Sequence, residues 1–266
     1  MTNVYLSHEE KWAPRKVKAL NACSWIKSAF YLFKKQPLLW IIFWLITFVL
    51  SLVANWAFMI ISSSTFLGWL ANFFIQQTLM GGVVLAANKR ERDEEVDIGD
   101  LFTAFSHDWK AFLHLTLIYL LALLFIFLAM VGIMLSLGLG GEVVLSMLGH
   151  LLGDINQLPM HRLMASATSG IVVALCVLLI ALCFGLISTL FYFAPALIVL
   201  AEQKPFDAVK ASFRAIWTNW LAFLVFSILS ALLFIIGMLP LMLGWLIVIP
   251  VITLSNYTAW KDIFSQ

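Results

Sequence analysis

Residues 215–260 read AIWTNWLAFLVFSILSALLFIIGMLPLMLGWLIVIPVITLSNYTAW, without one charged side chain. A helix of about 20 apolar residues crosses a bilayer, so this block is long enough to cross twice. Gly237, Pro240 and Gly244 fall near its middle, where a tight turn places glycine and proline. The stretch predicts two helices joined by almost no loop, over 218–237 and 241–260.

The chain on its N-terminal side has the same texture. Charge-free blocks predict further spans over 38–61, 66–87, 111–136 and 170–200. The last of these is cut from a longer block, 163–201, whose Ser-, Ala- and Thr-rich start is expected to project beyond the bilayer. Of the 266 residues, 63% are hydrophobic and 11% charged, where soluble proteins carry roughly 25% charged residues. So few charges cannot cover that much apolar surface in water. The expected fold is an all-α integral membrane protein with six transmembrane helices arranged as three hairpins. Residues 1–20 are expected to form a tail and 21–266 a single transmembrane domain. The apolar run behind the basic N-terminal segment is too long for a signal-peptide core, so no cleavable export signal is expected.

Basic residues set the orientation. Lys11, Arg15, Lys16, Lys18, Lys27, Lys34 and Lys35 precede the first span, and Lys89, Arg90, Arg92 and Lys110 follow the second. Lys204, Lys210 and Arg214 follow the fourth, and Lys261 ends the sixth. All lie on one side, leaving Arg162 alone on the other. Both termini are therefore expected in the cytoplasm of a bacterial cell, with the chain in the inner membrane.

Three segments superpose without gaps: Ile26, Phe30, Phe33 and Pro37; Ile98, Phe102, Phe105 and Trp109; Val209, Phe213, Ile216 and Trp220. Apolar residues at positions 0, 4, 7 and 11 share one helical face, and Lys27, Lys34, Lys210 and Arg214 lie on polar faces. Each segment reads as an amphipathic interfacial helix ahead of a transmembrane hairpin. Asp97 or Asp100 is placed to cap the second copy, and Pro205 suits the first turn of the third.

Groups able to do chemistry are sparse. Ionisable side chains in a bilayer are costly and mark function, and His114, near the start of the third span, is the candidate. Outside the membrane, Glu142, His150, Asp154 and His161 cluster in segment 137–168. An apolar stripe of Val144, Met147, Leu148, Leu151, Leu152 and Ile155 runs through the same stretch, so an amphipathic surface helix accounts for it without a metal. A His-Glu-x-x-His zinc motif, a phosphate-binding loop and a nucleophile elbow are all missing from the sequence. Cys23, Cys176 and Cys183 read as small apolar fillers. The acidic stretch from Glu91 to Asp100 reads as a solvated loop or a docking site. Gly81 and Gly82 suit close helix contact. Pro195 and Pro250 lie within spans, where a proline frees a carbonyl and kinks the axis. Such kinks shape a groove or serve packing, and both readings stand. Tyr257, Trp260, Lys261 and Asp262 read as an interface anchor.

Phe30-x-x-Phe33-Lys-Lys-Gln-Pro37-Leu, Phe193-Ala-Pro195-Ala and Tyr257-Thr-Ala-Trp-Lys-Asp262-Ile-Phe264 resemble the pattern of a family of uncharacterised proteobacterial six-helix inner-membrane proteins. That family is similar to the membrane domain attached to some glycerophosphodiester phosphodiesterases. The resemblance runs from about Lys18 to the end, and segment 137–168 is longer than it implies. It implies no chemistry, since the soluble phosphodiesterase domain is absent from this sequence.

The expected role is non-enzymatic: engaging lipid or supporting envelope homeostasis. Alternatives are a small transporter or transport-complex subunit using a groove near Pro195 and Pro250, and an intramembrane enzyme with its site in 137–168. No cofactor is expected. The expected partners are the lipid bilayer, a specific lipid, and a second copy or a membrane complex, with no nucleic acid.

Overall fold

A computed structural model describes residues 12–62, 65–107, 109–136, 178, 185, 187, 189–239 and 241–265. Among them the regular structure is all helical: α1 (Asn21–Lys35), α2 (Pro37–Ser62), α3 (Thr65–Glu91), a 3-10 turn (Ile98–Phe102), α4 (Thr103–His107) and α5 (Trp109–Ser136). After these come α6 (Ala194–Ala201), α7 (Pro205–Thr218), α8 (Trp220–Met238) and α9 (Trp245–Phe264). The chain forms two compact units, one of 1–50, 75–114 and 189–266, the other of 51–74 and 115–188.

Among the described residues, four helices are long and apolar enough to cross a membrane: Pro37–Ile60, Leu67–Glu91, Trp109–Ala129 and Trp220–Met238. Their bounds fall within a few residues of four expected spans. The span expected over 241–260 becomes α9, which is not among the four. From Thr253 onward its sequence turns polar, and those side chains are held by protein. Most of the span expected over 170–200, and all of segment 137–168 with Glu142, His150, Asp154 and His161, lie outside the described residues.

In the first unit, α8 leaves Leu221, Leu224, Ile228, Leu232 and Ile235 half-exposed along one stripe. Keeping half of each such side chain in water forfeits about 1 kcal/mol. Five of them weigh against the 5–15 kcal/mol typical of a whole domain. A lipid surrounding would remove this cost. The α8–α9 turn is made by backbone contact. A Cβ on Gly244 would meet the backbone of Gly237, and one on Gly237 would come 3.0 Å from Trp245 Cδ1. Leu241 and Met242 adopt left-handed φ values of 51° and 65°, and Trp245 Nε1 donates to the Phe234 carbonyl at 3.1 Å.

The three segments aligned in the sequence each lead into a long helix. Pro37, Trp109 and Trp220 each begin a long helix, after α1, α4 and α7. The middle copy is a correction to the expected continuous amphipathic helix. It is a 3-10 turn followed by a single short helix, tightened by a reciprocal cap in which Asp97 Oδ1 accepts from Asp100 N at 3.2 Å and Asp100 Oδ2 from Asp97 N at 2.9 Å. Gly82 presses against this turn, and a Cβ there would run into the Leu101 carbonyl. A Cβ on neighbouring Gly81 would come 2.7 Å from the Phe112 ring.

In the second unit, Tyr119 stacks on Phe73 with ring centroids 3.6 Å apart and tilts against Trp69 at 5.5 Å. Gly68 sits close to Phe58, whose Cβ would lie 3.2 Å from an added Cβ.

Candidate functional site

α9 is the hub of the first unit. Its second half buries Leu254, Ser255, Asn256, Tyr257, Ala259, Trp260, Ile263 and Phe264, and it packs most extensively on α1. Asp262 accepts from Arg15 Nη2, Asn21 Nδ2 and Trp25 Nε1, each at 2.8 Å, and Arg15 Nε donates to the Asp262 carbonyl. Burial opposes ionisation of Asp262, yet the bonds from Asn21, Trp25 and Arg15 outweigh it and hold its carboxyl below the ordinary range. Buried Asn219 pins the same N-terminal strap. Its Oδ1 accepts from Val17 N at 2.7 Å, and its Nδ2 donates to the Arg15 and Ala215 carbonyls at 3.0 and 2.9 Å.

A second polar group joins α9 to the end of α3. Tyr257 donates to Glu91 Oε2 at 2.6 Å, and Lys261 pairs with the same oxygen at 2.8 Å. The acidic stretch is thus more stapled than a solvated loop: Asp93 pairs with Lys35 at 2.6 Å and Asp100 with Lys89 at 3.1 Å.

The predicted site residues are placed as follows. Pro195 does not kink a continuous helix, as expected; it lies in the first turn of α6, after a break at Tyr192–Phe193. The broken backbone is satisfied by side chains. Ser212 Oγ accepts from Phe193 N at 3.0 Å and donates to the Thr189 carbonyl at 3.2 Å, while Asn256 Nδ2 donates to the Tyr192 carbonyl at 2.6 Å. Without such partners these groups would each cost 1–3 kcal/mol. Pro250 is inside α9 and buried. His114 is exposed on α5. Among the described residues, no cluster of three His, Cys, Asp or Glu could hold a metal ion.

The amphipathic segments carry the arrangement that the sequence only half reveals. The buried residues are those one position before the stripe: Trp25, Ala29 and Leu32; Leu101 and Ala104; Ala208, Ser212 and Ala215. Small side chains in two of the copies let those helices approach the bundle closely. Phe33 and Val209 are buried beside them, but Phe30, Phe102 and Phe213 are 40%, 37% and 39% exposed. Ile98, Trp109 and Trp220 face outward with them. Lysines lie over exposed rings at each copy: Lys34 over Phe30 at 4.7 Å, Lys110 over Trp109 at 5.8 Å and Lys210 over Phe206 at 4.9 Å.

Residues 20–261 match a family model described as a domain of unknown function (DUF7847). The chain belongs to that family. No curated protein matches it, and no solved structure does. The matched residues run from just before α1 to all but the end of α9.

Proposed function

We propose that this member of the family is a non-enzymatic, multi-pass protein of the bacterial inner membrane that engages lipid at the cytoplasmic leaflet. In this reading six helices cross in three hairpins, both termini are cytoplasmic, and α1, the 3-10 turn with α4, and α7 lie at the interface as three copies of one unit. The observation that carries it is the outward aromatic face with stacked lysines at all three copies. Aromatic rings favour the headgroup level. A lysine near an anionic leaflet is attracted by about 1 kcal/mol, and one held over a ring keeps its charge at that depth.

The test is native mass spectrometry of the full chain released from nanodiscs of equal phosphatidylglycerol and phosphatidylcholine. Enrichment of phosphatidylglycerol in the retained lipid is expected. Lys34→Glu, Lys110→Glu and Lys210→Glu combined should reduce that enrichment more than about tenfold, given about 1 kcal/mol per lysine. Equal retention of both lipids by the unaltered chain, or no response to the triple reversal, would remove the reading.

A further inference from the structure

The first unit contains an open cleft of about 600 Å³ at the loop between α6 and α7. Leu85 of α3, Ala111 of α5 and Ile198 and Val199 of α6 form its apolar wall. Glu202, Gln203 and Lys204 from the loop, with Thr103 of α4, form its polar part. Two features of this loop bear on what the cleft can hold. Glu202 caps α6 in the left-handed region, at φ 51° and ψ 32°, a position that glycine occupies at least cost. Its exposed carboxylate is therefore presented from a backbone that a side chain disfavours. Gln203 Oε1 is buried and, among the described residues, accepts no hydrogen bond, although a buried acceptor ordinarily finds a donor. The terminal torsion of a glutamine is broad, so a donor arriving in the cleft can be met by a turn of the amide.

We infer that this cleft binds one zwitterionic glycerophospholipid with a primary ammonium headgroup, of the phosphatidylethanolamine class. The inference rests on the lipid-engaging reading above and names a discrete site within it. Charge complementarity selects the occupant. The ammonium carries three N–H donors for the Glu202 carboxylate and Gln203 Oε1, and the phosphate meets the Lys204 ammonium. The glycerol and upper acyl chain lie along Leu85, Ala111, Ile198 and Val199. A choline headgroup has no N–H donor and leaves Gln203 unsatisfied. A glycerol headgroup places no cation beside Glu202.

The full chain is loaded into nanodiscs of equal phosphatidylethanolamine, phosphatidylcholine and phosphatidylglycerol, and lipids retained on release are weighed by native mass spectrometry. One phosphatidylethanolamine per chain is expected, held at collision energies that strip the others. Glu202→Gly relieves the left-handed backbone and keeps the fold, so its loss of binding is not a folding defect. It should lower phosphatidylethanolamine retention about tenfold, and Lys204→Ala should lower it several-fold. Equal retention of the choline lipid, no retained phosphatidylethanolamine, or undiminished retention in Glu202→Gly each overturns the site. Phosphatidylglycerol enrichment that still answers to the lysine reversals, in a chain that fails these tests, removes the cleft and leaves the broader reading standing.

Discussion

α8 and α9 follow one another through a turn of a few residues and are nearly equal in length, yet they use their side chains in opposite ways. α8 turns Leu221, Leu224, Ile228, Leu232 and Ile235 outward and buries little. α9 turns Ser255, Asn256, Tyr257 and Trp260 inward and ties Arg15, Asn21, Trp25 and Glu91 together through Asp262, Tyr257 and Lys261. Hydrophobic residues face away from the protein when the solvent is lipid, and polar residues then become the means by which helices recognise one another. Between these two helices, the polar side chains of α9 mark where helices meet and the apolar stripe of α8 does not.

The contrast breaks most sharply at Asp262. Asp262→Ala leaves Arg15, Asn21 and Trp25 without their shared acceptor, and a loss of about 2–3 kcal/mol is expected, read by SDS titration of tryptophan fluorescence in mixed micelles. The same carboxylate makes stability pH-dependent. Because its folded pKa lies below the unfolded value, the stabilisation is present above the ordinary Asp range near 3.9 and is lost as pH falls through the folded pKa. Asp262→Asn should flatten that acid limb. At the turn, Gly244→Ala pushes a methyl into the Gly237 backbone and should cost about 1–3 kcal/mol, with the shift seen in the same titration. Tyr257→Phe removes one donor from Glu91 while Lys261 remains, so a cost near 1 kcal/mol is expected. On α8, Ile228→Ala changes only an exposed apolar stripe and should stay within about 0.5 kcal/mol. A large effect there would mean that the stripe meets protein, and a second copy of the chain would become its partner.

The uninterrupted apolar runs made α2, α3, α5 and α8 legible, because lipid demands length and lack of charge and little else. The cap made by Asp97 and Asp100, and Pro205 in the first turn of α7, were legible because each depends on a few neighbouring residues. The inner face of the amphipathic segments was not. The strongest apolar stripe passes through Phe30, Phe102 and Phe213, and only the competition between lipid and protein decides that Ala29, Leu101 and Ser212 point inward in their place. Asn219 and Ser212 are not singled out by the sequence reading. Their signal lay in position: each stands beside an interruption of helix, at Asn219 itself and at Tyr192–Phe193, where backbone groups need partners. Asp262, read as an interface anchor, serves a contact that spans 247 residues of sequence, which no local pattern announces.

That separation sets a schedule for biogenesis. The strap around Arg15 is made early, and the acceptor that organises it is made 247 residues later. At about 5–20 residues per second, Arg15, Asn21 and Trp25 wait on the order of ten seconds or longer for α9 to leave the ribosome. A nascent chain arrested before Asp262 therefore leaves Arg15, Asn21 and Trp25 without the acceptor they share in the finished fold.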